Sequence, residues 1–494
     1  DELMRLGEVA RHFRARILVL LAINPLFVNL AFSFMTEFYG FTPALLGAVI
    51  WFRTRRAHAA SDGALVGLLP AIASGAVIGG TFWVRQYCVL IFPALVASTL
   101  LYVLKTRDWR RLWRSLPSLA ASGTAFLALV GGYFWYAKTH NLVKGAFEGR
   151  LQDTLHFSLL DYQIMGGAYG FYLTAFLFPL LLTWPLSTRR LSRYTRAGAA
   201  AFALALALVT IVELRATDDW ASLGVHRVFP YLSNIIHNAG VGPNTLTDGF
   251  FYRNDKYYAV SRTFWRNVSY GLLGLSALWG FALVALASLR NAPRARRELA
   301  AFGSAFAALS LVAVVQAYGG GGFDRYSLPC LFGIVLVLGS LASSEEESIH
   351  RPLRVRNLIR KWSAIPFALT CLPLAYFTVA GVHDYFRWND ARWRLVDYAL
   401  STGFPSTSIN GGYEVNGWLS YDATGLHAVN PDVHRCIGEC RCEVPAVLAG
   451  LWNCFDDSYR INMSVGPGYD EVMRETPRFW FGRDHSIILS KRRQ

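Results

Sequence analysis

Residues 88–114 read CVLIFPALVASTLLYVLKTRDWRRLWR. The stretch 88–104 carries no charge, and Lys105, Arg107, Arg110, Arg111 and Arg114 follow it at once. A helix needs roughly 20 apolar residues to cross the hydrocarbon core of a bilayer. An apolar run of nearly that length, closed by a short basic loop, therefore reads as a membrane span with its cytoplasmic turn. The same alternation recurs along most of the chain.

Working outward, candidate spans fall at 17–36, 39–52, 64–82, 87–104, 117–136, 169–186, 196–213, 269–289, 299–317, 327–344 and 363–381, about eleven crossings by span length. The second is short and contains Gly40 and Pro43. Read as a re-entrant piece, it would change the parity of the topology. The composition agrees with a membrane reading. Of 494 residues, 53% are hydrophobic and only 16% charged, where a soluble domain carries about a quarter charged residues.

The net charge of +15 does not point to nucleic acid, because the arginines sit in short inter-span loops rather than on one soluble face. These loops hold Arg53, Arg55 and Arg56; the basic run after residue 104; Arg189, Arg190, Arg193 and Arg196; Arg294, Arg296 and Arg297; and Arg351, Arg354, Arg356, Arg360 and Lys361. The intervening short loops hold Arg85 alone or Arg325 alone. The positive-inside rule puts the arginine-rich loops and the N-terminus in the cytoplasm. An odd number of crossings then places the tail from about residue 384 outside. Residues 1–16 read as a cytoplasmic loop without a signal-peptide pattern, which raises the expectation of spans upstream of Asp1.

Three outside segments are long enough for chemistry: 137–168, 214–268 and 384–494. The fold expected is an all-α polytopic transmembrane bundle over 1–383 with a small extracytoplasmic α/β or mixed domain over 384–494. Turn signals at Asn410-Gly411-Gly412 and Asn416-Gly417, and a terminal strand at Ser486–Ser490, support the tail domain. Cys88, Cys330 and Cys371 lie in spans and read as packing residues. Cys436, Cys440, Cys442 and Cys454 fall in the outside tail, where an even number reads as disulfides with three possible pairings. A zinc site helped by His434 is the competing reading, but Cys-x3-Cys-x-Cys fits no common zinc spacing.

Several polar residues at outer span ends are candidates for chemistry. Glu37 closes Met35-Thr36-Glu37, and an acid at the membrane boundary is costly unless it faces water or a partner; the bland alternative is a carboxylate snorkelling to the interface. Arg85-Gln86 sits on the sparsely charged side, where a planar guanidinium suits phosphate or merely a lipid headgroup. Asp324-Arg325-Tyr326 follows the glycines 319–322 and forms a similar site or a neutralised ion pair. The glycine run lacks the Lys-Ser/Thr ending of a P-loop. Asp218-Asp219 could hold a divalent metal or an acceptor, or form a solvated turn. His226, His237, Asp248 and Asp255 share that loop; His140 and His156 are weak signals. Asn24-Pro25 reads as a structural kink. No Gly-x-Ser-x-Gly, His-Glu-x-x-His or Walker motif occurs, which argues against a serine hydrolase, a zincin and an ATP-driven pump.

With these residues in view, the chain resembles bacterial polytopic glycosyltransferases of the GT-C superfamily, nearest the branch of dolichyl-phosphate-mannose–protein mannosyltransferases and aminoarabinose transferases. The likeness rests on Asn24-Pro25-Leu26-Phe27 with Phe34-Met35-Thr36-Glu37, on Arg85-Gln86, and on Asp324 to Pro329. Gly412 to Gly417 and Pro467-Gly468-Tyr469-Asp470 add to it in the tail. The resemblance implies transfer of a sugar from a polyprenyl-phosphate carrier to a protein, lipid or glycan acceptor at the outer face of a bacterial inner membrane, with the tail periplasmic or extracellular. It implies Glu37 as an acidic site residue and Arg85, Gln86, Asp324, Arg325 and Tyr326 as contacts of the lipid phosphate. It requires no cofactor and leaves a divalent cation open. The family's main acid lies in the first outside loop, which would precede Asp1 here. Glu37 stands where Asp is usual. Two rivals from other classes are a transporter or lipid flippase without bond chemistry, and a non-catalytic scaffold. A transporter should bury ionisable groups near mid-membrane, whereas here they collect at span ends.

Overall fold

The computed structural model describes residues 1–32, 37–60, 67–140, 159–183, 193–216, 229–232, 234–237, 240–242, 246, 260–280, 282, 293–318, 323–342, 353–424, 458–481 and 483–493. The chain divides into two compact units. One is Asp1–Leu232 with Asn267–Ala375, the other Ser233–Arg266 with Tyr376–Gln494.

The helices, in chain order, are α1 (Glu2–Leu6), α2 (Arg11–Ala22), α3 (Pro25–Phe32), α4 (Glu37–Ala60), α5 (Leu68–Gly80), α6 (Ile91–Thr106), α7 (Trp109–Thr139), α8 (Leu159–Thr183), α9 (Arg193–Ala216), α10 (Arg262–Ser276), α11 (Arg294–Tyr318), α12 (Ser327–Ala342), α13 (Leu353–Ser401) and α14 (Tyr413–Thr424). Among the described residues, six are long and apolar enough to cross a membrane, with a seventh if the bent pair α2–α3 is one span. This is the build of a helical membrane protein.

Of the expected spans, 87–104, 117–136, 169–186, 299–317, 327–344 and 363–381 coincide with those six helices. The others differ. The 39–52 segment lies inside α4, which continues through Arg53, Arg55 and Arg56 because arginine is a good helix former. The 64–82 segment shortens to α5, ended by Gly79-Gly80. The apolar part of α9 is also short. Much of 269–289 lies outside the described residues.

Between α2 and α3 the axis bends by 59° at Asn24-Pro25. Asn24 is buried, and its Oδ1 accepts from the N–H groups of Leu26 (2.9 Å) and Phe27 (3.2 Å). The broken turn is thus satisfied internally, as an apolar setting demands, with proline at the first helical position, where its missing N–H costs nothing.

Helix contacts in this unit run through glycine. A Cβ on Gly75 would fall 1.9 Å from the Ser122 carbonyl oxygen, and one on Gly79 2.8 Å from that of Phe126. Gly75 and Gly79 are one turn apart, so α5 lays its backbone directly on α7. Gly303 of α11 and Gly333 of α12 meet likewise, each added Cβ reaching the other's carbonyl at 2.6 Å. Close backbone approach substitutes for the hydrophobic drive that lipid removes. On α7 the outward side chains include Trp113 and Trp135, 71% and 68% exposed. They lie about 33 Å apart at roughly 1.5 Å per residue, close to the ~30 Å hydrocarbon thickness bracketed by aromatic belts.

The N-terminal segment, the end of α4 and the start of α11 meet at one end. Glu2 accepts from Arg5 (2.6 Å) and Arg53 (2.8 Å), which hold its carboxyl well below the usual range. Glu8 faces Arg56 at 3.9 Å, and Gly7 abuts Leu299, one turn beyond Arg296.

The second unit contains a hairpin of β1 (Ile236–His237) and β2 (Gly240–Val241). It also holds a sheet of β3 (Ile409–Asn410), β4 (Tyr459–Asn462), β5 (Tyr469–Glu475) and β6 (Ile487–Arg492) in the order β3-β4-β6-β5. Only the β3–β4 pair is parallel. The core joins Trp388, Leu395 and Ala399 of α13 to Ile409, Ile461 and Leu489 of the sheet. α13 runs unbroken past residue 384, where the domain boundary was expected, and stops at Gly403 (φ +89). There Phe404 N–H returns to the Ala399 carbonyl at 3.0 Å, a Schellman-type end. Asn416-Gly417, expected as a turn, lies inside α14 instead. Asn416 accepts from Gly411 N–H and donates to Asn410 Oδ1 (3.0 Å), tying the first helical turn to β3.

Buried Arg392 donates to Glu414 (2.9 Å) and Asn389 (2.7 Å). His237 is half-buried, and burial lowers its imidazole to about 4 while Nε2 meets the Gly242 carbonyl at 2.6 Å. Burial also lowers His485.

Two outcomes follow. Gly75→Val should destabilise the first unit by about 1–3 kcal/mol through overpacking, read as a lower melting temperature in detergent, while Gly131→Ala, with no neighbour within 4 Å, leaves it unchanged. For His237, the native pKa lies below its ordinary value of 6.5, so its stabilisation is complete above pH 6.5 and is lost as pH falls towards 4, by at most about 3 kcal/mol. Melts from pH 7.5 to 4 should show that loss, and His237→Gln should flatten it.

Candidate functional site

Arg85 and Arg325 each occupy a tight turn that leads into a span. Arg85 has extended backbone (φ −151) and precedes a 3-10 turn over Gln86–Leu90 that continues into α6. Its N–H donates to Thr81 O at 2.8 Å, and its carbonyl accepts from Cys88 N–H at 3.1 Å. Arg325 is the middle residue of the 3-10 turn Asp324–Tyr326 that opens α12. Phe323 anchors that turn, its carbonyl accepting from Tyr326 N–H (3.0 Å) and from the Tyr169 hydroxyl of α8 (3.3 Å).

The two turns come together through tyrosines. The Arg85 guanidinium carbon lies 5.2 Å from the Tyr87 ring centre. Tyr87 meets Tyr326 edge-on at 6.3 Å, and Tyr326 lies 5.2 Å from the Arg325 guanidinium carbon. Those three steps keep the two cations within roughly 17 Å, about two Debye lengths at physiological salt. The Phe323 ring, 5.0 Å from Arg325, adds a second aromatic face, and Phe41 of α4 backs Tyr87 at 5.5 Å. Cation–π contact of this kind is worth ~0.5–2 kcal/mol. It also orients the planar N–H fork that meets two oxygens of a phosphate.

Asp324 and Arg325, adjacent in sequence, separate in environment: Asp324 is fully buried, while Arg325 is half-buried. Gln86 is half-buried beside Arg85. Gly40 closes the corner from α4, since a Cβ there would stand 2.8 Å from both Arg85 Cβ and Cys88 Sγ. Glu37 begins α4 three residues earlier, about 5 Å along the axis. Its backbone therefore stands beside Arg85, and its side chain lies outside the described residues. The arginine-rich end of α4, at Arg53, is about 20 Å further along the helix.

Most of the remaining candidates have no described position. Asp218, Asp219, Asp248, Asp255, His226 and His156 lie outside the described residues, as do the glycines 319–322. So do Cys436, Cys440, Cys442 and Cys454, together with His434. His140 stacks on Tyr136 at the exposed end of α7, and His237 belongs to the second unit. No cluster of three or more His, Cys, Asp or Glu side chains that could hold a metal occurs among the described residues.

Sequence reasoning missed Tyr87 and Gly40. The signal available was a repeated pattern: each outer arginine is followed within two residues by tyrosine.

Gly40→Val should push Cys88 out of its fully buried position. Peptide-mapped maleimide labelling of Cys88 is expected to accelerate several-fold over wild type, with the buried Cys330 as internal reference. Compared with protein-family models, curated proteins and solved structures, the chain matches none.

Proposed function

We propose that this chain is a membrane glycosyltransferase that moves a sugar from a polyprenyl-phosphate carrier to a protein, lipid or glycan acceptor. The observation that carries the reading is the Arg85–Tyr87–Tyr326–Arg325 array at one end of a membrane bundle, beside the start of α4 at Glu37. The resemblance to GT-C enzymes at Asn24-Pro25, Glu37, Arg85-Gln86 and Asp324–Tyr326 supports it from the sequence.

In this mechanism an acceptor oxygen or nitrogen attacks the anomeric carbon of the sugar. The bond from that carbon to the phosphate oxygen breaks with inversion, and the electron pair leaves with the polyprenyl phosphate. Arg85 and Arg325 stabilise the charge that grows on the departing phosphate, the role for which preorganised donors are most effective. Glu37 takes the acceptor proton as a general base. Gln86 and Tyr326 contact the same phosphate. Asp324, buried next to Arg325, positions that turn rather than touching substrate. The site would face the outer side of a bacterial-type inner membrane.

The bend at Asn24-Pro25 favours a second reading as a transporter or flippase, since broken helices line substrate sites in such proteins. One assay separates the two. Transfer of radiolabelled sugar from a polyprenyl-phosphate donor should be present in full-length protein and fall about 100-fold in Arg325→Ala and in Arg85→Ala, with Glu37→Gln lowering kcat. Donor movement across vesicles without any product would favour the transporter. Normal transfer by all three variants would remove the site.

A further inference from the structure

At the arginine-rich end of the first unit, guanidinium groups from two helices converge on the last two turns of α6. Arg55 of α4 donates to the Thr99 hydroxyl at 3.0 Å. Thr99 is fully buried and donates in turn to the Leu95 carbonyl (2.9 Å). One turn on, Tyr102 carries two more: the guanidinium carbons of Arg294 and Arg297, from the first turn of α11, each lie 5.8 Å from its ring centre. Two cations thus share one aromatic ring, and buried Arg296 lies between them in sequence.

Glu298 accepts from Arg294 at 2.9 Å, and Glu2 and Glu8 are engaged by Arg5, Arg53 and Arg56. Arg297 has no carboxylate partner among the described residues, and its Nε is buried without a hydrogen-bond acceptor. A buried guanidinium N–H without an acceptor costs free energy that a bound anion would recover. Like charges gathered against a low-dielectric wall focus a positive potential, which selects for anions. The level in the membrane is also marked. Exposed Trp109 and Trp113 begin α7, as interfacial tryptophans do, and Tyr102 lies about two turns before them in sequence. The anion group available at that level is a phosphate.

We propose that Arg55, Arg294 and Arg297, gathered on Thr99 and Tyr102, form a binding site for a phosphate group, separate from the corner at Arg85 and Arg325. The tyrosine ring holds the two α11 forks side by side, so that they grip phosphate oxygens from one flank while Arg55 approaches from α4. The phosphate can come from an anionic lipid headgroup or from a free phosphate in solution.

The test uses the full chain in nanodiscs of phosphatidylcholine. Phosphatidylglycerol is titrated in one arm and inorganic phosphate in another, with the melting temperature and native mass spectrometry as readouts. Saturable stabilisation by the lipid alone identifies a headgroup site; stabilisation by both ligands identifies a site for free phosphate. Either supports the proposal, provided that Arg297→Gln and the half-exposed Arg294→Gln each weaken binding about tenfold, the loss expected for one charge-assisted contact. Arg110→Gln, in the first turn of α7, should bind as wild type. Equal weakening by Arg110→Gln would show only bulk surface charge, and unchanged binding in both Arg294→Gln and Arg297→Gln would overturn the site. Because Arg294 is the more exposed of the two, that variant keeps the test decisive if Arg297→Gln fails to fold.

Discussion

Hydrocarbon solvates neither a charge nor an unpaired backbone group, and nearly every feature of the first unit answers that constraint. Charged side chains are driven to helix ends. Arg53, Arg55, Arg294 and Arg297 collect at one end, and Arg85, Asp324 and Arg325 at the other. Where the backbone breaks, at Asn24-Pro25, a side-chain oxygen repairs it on the spot. Because lipid competes with leucine for every apolar face, close backbone approach at Gly75, Gly79, Gly303 and Gly333 adds to the buried apolar side chains in holding the helices together.

The same constraint gives the two ends their chemistry. A cation that cannot sink into the bilayer gains from an aromatic face, and both ends supply one. Tyr87, Tyr326 and Phe323 serve Arg85 and Arg325; Tyr102 serves Arg294 and Arg297. A ring satisfies a guanidinium from its face and leaves its edge directed at other groups. Both ends of the bundle thus present oriented arginine forks, and both suit phosphate for the same physical reason.

Hydropathy alone exposed the spans that became α6, α7, α8, α11, α12 and α13, since a long uncharged run has few other uses. It failed where length and burial part company. The 39–52 segment looked short because the sum ended at Arg53, whereas the helix itself continues to Ala60 with its arginines at the interface. The boundary at 384 reflected a change in polarity, yet α13 has no residue that stops it before Gly403. Asn416-Gly417 read as a turn because local propensity says so; contacts with Asn410 and Gly411 override it. At the candidate site, the arginines were legible as anomalies on the sparsely charged side. Their meeting through Tyr87 and Tyr326 was not, because contacts between segments more than two hundred residues apart leave no mark on either segment alone.

The two tryptophans on α7 have a consequence for where such a protein can reside. Anchored at both water boundaries, that helix behaves as a ruler, and a lipid film of another depth would have to thin, swell or accept a tilted rod at a fraction of a kcal/mol for every ångström of misfit. The spacing of the two rings thus sets the depth of film that the helix fits without strain.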